Sequence, residues 1–415
     1  MKILRAQRRQ RELANDPNLL DVSRFEKTAF TRKRKEGMGF ADALSFMLDM
    51  RKTTIQSRLN VFYSQVKGCD PISQPAFTKL RAQFDHTPFE AMVRDLVEEE
   101  YSGAYELPRW QGFHVFADDG SYLQLPNEPA IAKEYGVRGA GNRPSAGISV
   151  LYDVLHGWAI DPVITHTDMN EREQLTQHVS YLCGILPNIA QNALILLDRG
   201  YPSQAVFAML EEEGLRFCAR CANDFTTETR DAPMGSSAVT FKSGQTVRIL
   251  KFLLNSGETE TLVTNLFDLS EAEFPELYAM RWGIETMYHK LKRIIAVEKF
   301  SGKTPNSIRQ DFWASMVMLN NAAILQQEAD EAIAERQKAK NNKHFYRART
   351  SDLIVTMRDR FIFATLCQRP AFSKLEFDAV WRELARAVSP VRPDRHYART
   401  PKPNAAARTN LKSTL

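Results

Sequence analysis

A chain of 415 residues, 43% apolar and 25% charged, has room for two or three packed domains and is too apolar for wholesale disorder. Its net charge of +5 is unevenly spread: residues 1–60 carry 14 Lys/Arg against 7 Asp/Glu, residues 331–415 carry 18 against 8, and the middle is net acidic. Basic ends around an acidic centre suit a polyanion gripped at the ends, with cations offsetting the acids between. No run of about 18 apolar residues occurs, so no membrane span is expected. The opening MKILRAQRRQRELAND lacks the apolar core of a signal peptide, and five cysteines, an odd number, suit a reduced, cytoplasmic interior.

In chain order, residues 1–105 read as a helical region. ADALSFMLDM (41–50) has helical apolar spacing just after the basic run TRKRK (31–35). SQPAFTKLRAQF (73–84) opens with Ser73 as an N-cap and Pro75 in the first turn, the pattern of a small DNA-binding helix among many other amphipathic ones. From about 110 the pattern changes. FHVFADDG (113–120) alternates and is expected to end in a turn, with SYLQLP (121–126) starting a second extended piece. SAGISVLYDV (145–154) and WAIDPVITHT (158–167) read as strands, REQLTQHVSYLCGIL (172–186) as an amphipathic helix, and ALILL (193–197) as a strand buried on both faces. The helix PSQAVFAMLEEEG and the strand LRFCARCA follow, and residues 223–270 read as a β-rich insertion. Helical pattern resumes at 272, and from Ser389 the chain is basic and Pro-rich. The expected domains are 1–105 helical, 106–330 α/β with the insertion, and 331–415 helical with a basic tail.

Three acids stand out by position. Asp119 and Asp198 fall at the ends of expected strands, where ligands of α/β sheets bind, and Glu285 falls on the helix after the insertion. Asp before Gly is also ordinary turn chemistry, and a lone helix Glu usually faces solvent. Asp198, beside ALILL, needs a partner or a cation, and Arg199 next to it is one candidate. On an ideal helix Tyr278, Arg281, Glu285 and Lys292 would fall within a stripe roughly 60° wide.

The spacing Y-x2-R-x3-E-x6-K at Tyr278, Arg281, Glu285 and Lys292 resembles the signature of the hairpin-forming DDE transposases of bacterial insertion sequences, those of the insertion sequence family 4 type. D-G-S at 119–121, L-P at 125–126, D-R-G-Y at 198–201 and TNL at 264–266 fit the same family, in the same order, across roughly residues 20–330. The resemblance implies an α/β RNase H-like catalytic core, a mixed sheet flanked by helices, interrupted by a β-rich insertion between the second and third acids. It implies that Asp119, Asp198 and Glu285 bind two Mg2+ ions, with Mn2+ as a substitute. Arg281, Lys292 and Tyr278 would hold DNA phosphates, and Arg199 and Tyr201 of the D-R-G-Y run are further DNA-contact candidates. The implied activity is binding of terminal inverted repeats, strand cleavage through hairpin ends and joining to target DNA, by a homodimer in the synaptic complex. The implied location is the bacterial cytoplasm, at the nucleoid when bound to DNA. Alternatives are a catalytically silent, domesticated DNA-binding derivative and an RNase H-like nuclease.

Other candidates weigh less. Asp118 competes with Asp119 as first acid, since adjacent strand residues face opposite sides. Cys218 and Cys221 form a CxxC without a second pair, so they read as structural cysteines rather than zinc ligands. Arg220 and His289 are minor DNA-contact candidates. Trp282 reads as a core anchor, and residues 201–281 hold no Trp, so a Phe such as Phe207, Phe217, Phe225, Phe241 or Phe252 would have to stack on a flipped base.

Overall fold

Side-chain caps set the first helices. In the computed structural model the described residues are 2–31, 37–49, 53–103, 106–139, 141–254, 257–338, 344–358, 374–384 and 386–391. Helices α1 (Lys2–Ala14), α2 (Pro17–Ser23), α3 (Phe40–Leu48), α4 (Ile55–Phe62), α5 (Gln74–Arg81) and α6 (Thr87–Tyr101) come first. Asp16, Thr54 and Ser73 each accept from a first-turn backbone N–H, at Asn18, Ser57 and Ala76, and so satisfy donors that the helix leaves unpaired. Most of the basic run TRKRK, and the tail beyond Val391, lie outside the described residues.

The sheet follows: β1 (His114–Gln124), α7 (Pro129–Tyr135), β2 (Val137–Arg138), β3 (Arg143–Asp153), β4 (Trp158–Thr165), α8 (Glu171–Ile185), α9 (Pro187–Ala190), β5 (Ala193–Leu197), α10 (Gln204–Glu212), β6 (Arg216–Cys221), α11 (Thr227–Asp231), β7 (Gly235–Thr240), β8 (Thr246–Leu253) and β9 (Thr259–Thr264). Nine strands form one mixed sheet in the order β2-β3-β1-β5-β6-β9-β8-β7, with β4 also paired to β3. β1–β5 and β5–β6 are parallel, while β3–β4, β6–β9, β9–β8 and β8–β7 are antiparallel. This is an α/β core, a mixed sheet flanked by helices. Every residue of β5 is buried, as its uninterrupted apolar run requires of a central parallel strand. The insertion lengthens this sheet: β9 pairs with β6, so β7, β8 and β9 continue the sheet outward from the edge of the parallel strands.

Two compact units divide the chain: Met1–Leu96, Gln124–Pro144 and Lys290–Leu415 form the first, Val97–Leu123 and Ser145–His289 the second. In the first unit the 33-residue helix α14 (Pro305–Gln337) is buried along most of its N-terminal half, from Phe312 to Ala322 without a break. A helix with so many apolar faces needs neighbours all round. Polar residues on it are matched individually. Gln10 of α1 and Asn321 exchange two amide hydrogen bonds, at 3.0 and 3.1 Å. Arg81 donates to Gln310, Ser301, the Ser307 carbonyl and Asp311, all within 3.2 Å. β10 (Phe345–Ala348) and α15 (Thr350–Thr356) follow α14. No helix among the described residues is long and apolar enough to cross a membrane.

Two expectations about local structure fail for definite reasons. β1 does not turn at Asp119-Gly120 but runs on to Gln124. Gly120 is there for space: a Cβ on it would lie 2.7 Å from both Glu171 Oε1 and Met169 Cε. Gly147 on β3 is confined in the same way, a Cβ lying 2.7 Å from Met169 Sδ and 2.8 Å from the His166 carbonyl oxygen. Because that carbonyl is backbone, Gly147→Ala is expected to lower stability by about 1–3 kcal/mol in urea unfolding.

The second failure is the single helix over the signature. Residues 274–295 form α12 (Phe274–Ala279), α13 (Trp282–His289) and a π-helical segment, Lys290–Ile295. Between α12 and α13 the bonds tighten to i→i+3, as Arg281, Gly283 and Ile284 donate to Tyr278, Met280 and Arg281. The ideal stripe is therefore interrupted, and Lys292 falls on the π-helical segment in the first unit.

Candidate active site

Parallel pairing brings the first two acids together. The β1–β5 register ends at Asp118↔Leu197, so Asp119 and Asp198 are the next residues on neighbouring strands. Both are half-buried. The third acid reaches them through a cation. Arg281 Nη2 lies 2.8 Å from Glu285 Oε1 and 3.7 Å from Asp198 Oδ2, with its own side chain only 5% exposed. Its guanidinium carbon sits 5.9 Å from the Tyr278 ring centre and 5.7 Å from that of Trp282. Arg281 Nε–H is buried with no hydrogen-bond partner among the described residues, which leaves a donor for an anionic group.

Two tyrosines fix the backbone at the first two acids. The Tyr278 hydroxyl is 3.4 Å from both the Leu197 carbonyl oxygen and Asp198 Oδ1. The Tyr288 hydroxyl donates to the Asp119 carbonyl at 2.6 Å. Burial pushes both phenols well above their usual range, so they remain neutral donors. Tyr288 was not singled out from the sequence. Its only signal there is its position ten residues after Tyr278.

Asp118 and Asp119 have different surroundings. Asp118 is fully buried, 3.7 Å from His178 Nε2, and burial lifts its carboxyl to about 6 against the pull of His178 and Tyr201. His178 is held by Asp161 at 2.7 Å and Ser149 at 3.0 Å, a buried polar group that the sequence reading passed over. Tyr201 is buried, and burial together with the nearby Asp118 and Asp119 pushes its phenol well above the usual range. Burial lifts Asp119 to about 7, opposed by Arg281 and reinforced by Glu171, Asp118 and Asp198.

The sign of the Asp119 shift sets a pH dependence. Between the ordinary carboxyl value near 4 and about 7, the folded chain holds a proton that the unfolded chain has lost. In chelator, stability therefore falls as pH rises through that window. Asp119→Asn is expected to remove on the order of 2 kcal/mol of that fall, read as the difference between denaturant curves at pH 5 and pH 8.

The remaining candidates differ in exposure and partners. Arg199 and His289 are exposed, and Lys292 is half-buried. Arg220 pairs with Glu260 of β9 at 2.9 Å. Cys218 and Cys221 are buried thiols on β6, and burial drives both well above the ordinary thiol range. Trp282, expected in the core, is 50% exposed. The tight turn before α13 puts it on the outside, with the Arg281 guanidinium over its ring.

No three His, Cys, Asp or Glu side chains among the described residues are grouped as a metal-binding set. The donors themselves fit a hard divalent cation: carboxylates from within β1, just after β5 and on a helix, with no sulfur or imidazole among them. Residues 110–321, just over half of the chain, match the family described as transposase DDE domain. A solved piggyBac transposase synaptic complex with hairpin DNA is 12% identical, covering 91% of this chain and 81% of that one at a TM-score of 0.48. No curated protein matches the sequence.

Proposed function

Because this chain belongs to the transposase DDE-domain family, we propose that it cuts and rejoins DNA by divalent-cation-dependent phosphodiester chemistry at Asp119, Asp198 and Glu285. The observation that carries the reading is the convergence of these acids: two on neighbouring parallel strands, the third linked to the second through Arg281. Asp119, Asp198 and Glu285 would hold two Mg2+ ions, or Mn2+ in their place. When bound, such a pair activates a water or a 3′-hydroxyl and stabilises the leaving oxygen.

The chain's own residues then have distinct tasks. Tyr278 and Tyr288 hold the two strand ends in register, so the carboxylates stay aimed at one place. Arg281, with its unpaired Nε–H, offers a donor to a phosphate beside the acids, where carboxylates alone would repel the strand. Lys292 and Arg199 supply further charge for the backbone. The DNA is a duplex carrying the terminal inverted repeats of an insertion sequence, joined afterwards to target DNA. Cleavage proceeds through hairpin ends in a synaptic complex of two copies.

Trp282 is the aromatic best placed to receive a displaced base, since half its surface is exposed beside Arg281. Trp282→Ala is expected to leave thermal stability almost unchanged and to weaken binding of a duplex with an unpaired end base by about 1–3 kcal/mol in fluorescence anisotropy, with little effect on a fully paired duplex. Equal losses on both duplexes would remove the stacking role. The function itself is tested by nicking of an end-containing duplex in Mg2+ and in chelator. Metal-dependent nicking that Glu285→Gln abolishes supports the reading, and nicking that survives chelation or the substitution refutes it.

A further inference from the structure

A fourth acid stands at this site without belonging to the triad. Glu171 is the first residue of α8, and its carboxylate lies against both segments that carry strand-end acids. A Cβ on Gly120, next to Asp119, would lie 2.7 Å from Glu171 Oε1, and a Cβ on Gly200, two residues after Asp198, would lie 2.8 Å from Glu171 Oε2. A glycine on β1 and one in the turn after β5 thus leave room for one carboxylate between them. The helix start that presents it is fixed. Asn170 caps the helix by accepting from Arg172 N–H at 3.1 Å, and Arg172 Nη2 donates to the Pro202 carbonyl at 2.9 Å, on the chain following Asp198.

Acids are common in the first turn of a helix, where they meet the positive end of its dipole. That account needs no glycine on either side and no neighbouring acids. Here the carboxylate adds like charge beside Asp119, and a cation shared with the strand acids would offset that repulsion. A separate feature points to a ligand in the same place: the buried Arg281, between Asp198 and Glu285, keeps an Nε–H with no partner among the described residues. Carboxylates for a cation beside an orphaned buried donor for an anion match a metal-bound phosphodiester.

We propose that Glu171 is a fourth carboxylate of the cation site, accepting hydrogen bonds from the water shell of a divalent ion held by Asp119 and Asp198. Magnesium keeps several of its waters when protein-bound, and those waters need acceptors fixed in place. Glu171 is on this account a positioning residue, acting through the ion's waters. The inference rests on the triad reading above.

The test measures Mn2+ binding to the full chain by electron paramagnetic resonance, with unfolding of each variant followed in chelator. Glu171→Gln keeps the shape and removes the charge. It is expected to weaken Mn2+ binding about tenfold while being no less stable than wild type without metal. Gly200→Ala, which intrudes on Glu171 Oε2, is expected to weaken Mn2+ binding in the wild-type background and to add little in the Glu171→Gln background. Unchanged affinity in Glu171→Gln, alongside a loss in Asp198→Asn, overturns the Glu171 assignment alone. Unchanged affinity in both overturns the triad reading with it. Loss of stability in chelator with wild-type Mn2+ affinity makes Glu171 a packing wedge, and that also overturns the proposal.

Discussion

Asp198→Asn is expected to lower strand cleavage in Mg2+ by at least about 10³-fold while the chain stays folded. The magnitude follows from what the acid would support: a shared cation contributes several kcal/mol of transition-state stabilisation, and about 1.4 kcal/mol is a factor of ten in rate. The amide has the same shape but lacks the charge that holds a hard cation. The fold should tolerate it. Asp198 is 39% exposed, and its ion pair with Arg281 is long, at 3.7 Å, whereas Glu285 remains 2.8 Å from the same guanidinium. Single-turnover nicking measures the rate, and circular dichroism with a melting curve separates lost chemistry from lost structure. A variant that cuts at wild-type rate would remove Asp198 from the site.

Arg81→Ala is expected to be the most destabilising substitution in the first unit, by about 3–5 kcal/mol. The guanidinium is 4% exposed and satisfies Gln310, Ser301, the Ser307 carbonyl and Asp311 at once. Removing it takes the guanidinium from the Asp311 carboxylate, which is 8% exposed and also accepts from the backbone N–H and hydroxyl of Ser301. Lysine keeps the charge but not the planar fork, so Arg81→Lys should recover only part of the loss. Substituting both members of the pair, as Arg81→Met with Asp311→Leu, should be milder than Arg81→Ala, because no buried charge is then left alone. Urea unfolding of the three variants orders them directly. Arg81→Ala within 1 kcal/mol of wild type would contradict this account of the buried network.

Asp198 was legible from the sequence because ALILL must be buried, and a carboxylate directly after such a strand needs a partner. The strand order from 145 to 221 and the cap at Ser73 were legible for similar reasons: each is a local pattern with one physical reading. Gly120 was not, because Asp-Gly reads as a turn until the crowding by Glu171 and Met169 is known. The signature helix was misdrawn because an ideal 100° repeat cannot anticipate the tight turn at Arg281 or the wider one from Lys290. That same turn carries Trp282 to the surface, against the expectation that a large aromatic is an anchor. Glu171 was invisible because its place depends on two glycines far apart in the chain, which only parallel pairing of β1 with β5 brings together. The burial of Tyr201 was not legible for the opposite reason: its motif was recognised, but burial is set by tertiary packing.

The central claim is that the three acids support both cutting and joining of DNA. It is tested most directly by incubating the full chain with Mg2+, a supercoiled target plasmid and a labelled duplex ending in the DNA that borders its gene. The account predicts label covalently joined to the plasmid, absent in chelator and absent with Glu285→Gln. Joining that persists in Glu285→Gln, or cleavage in Mg2+ that never yields joined product, would contradict it.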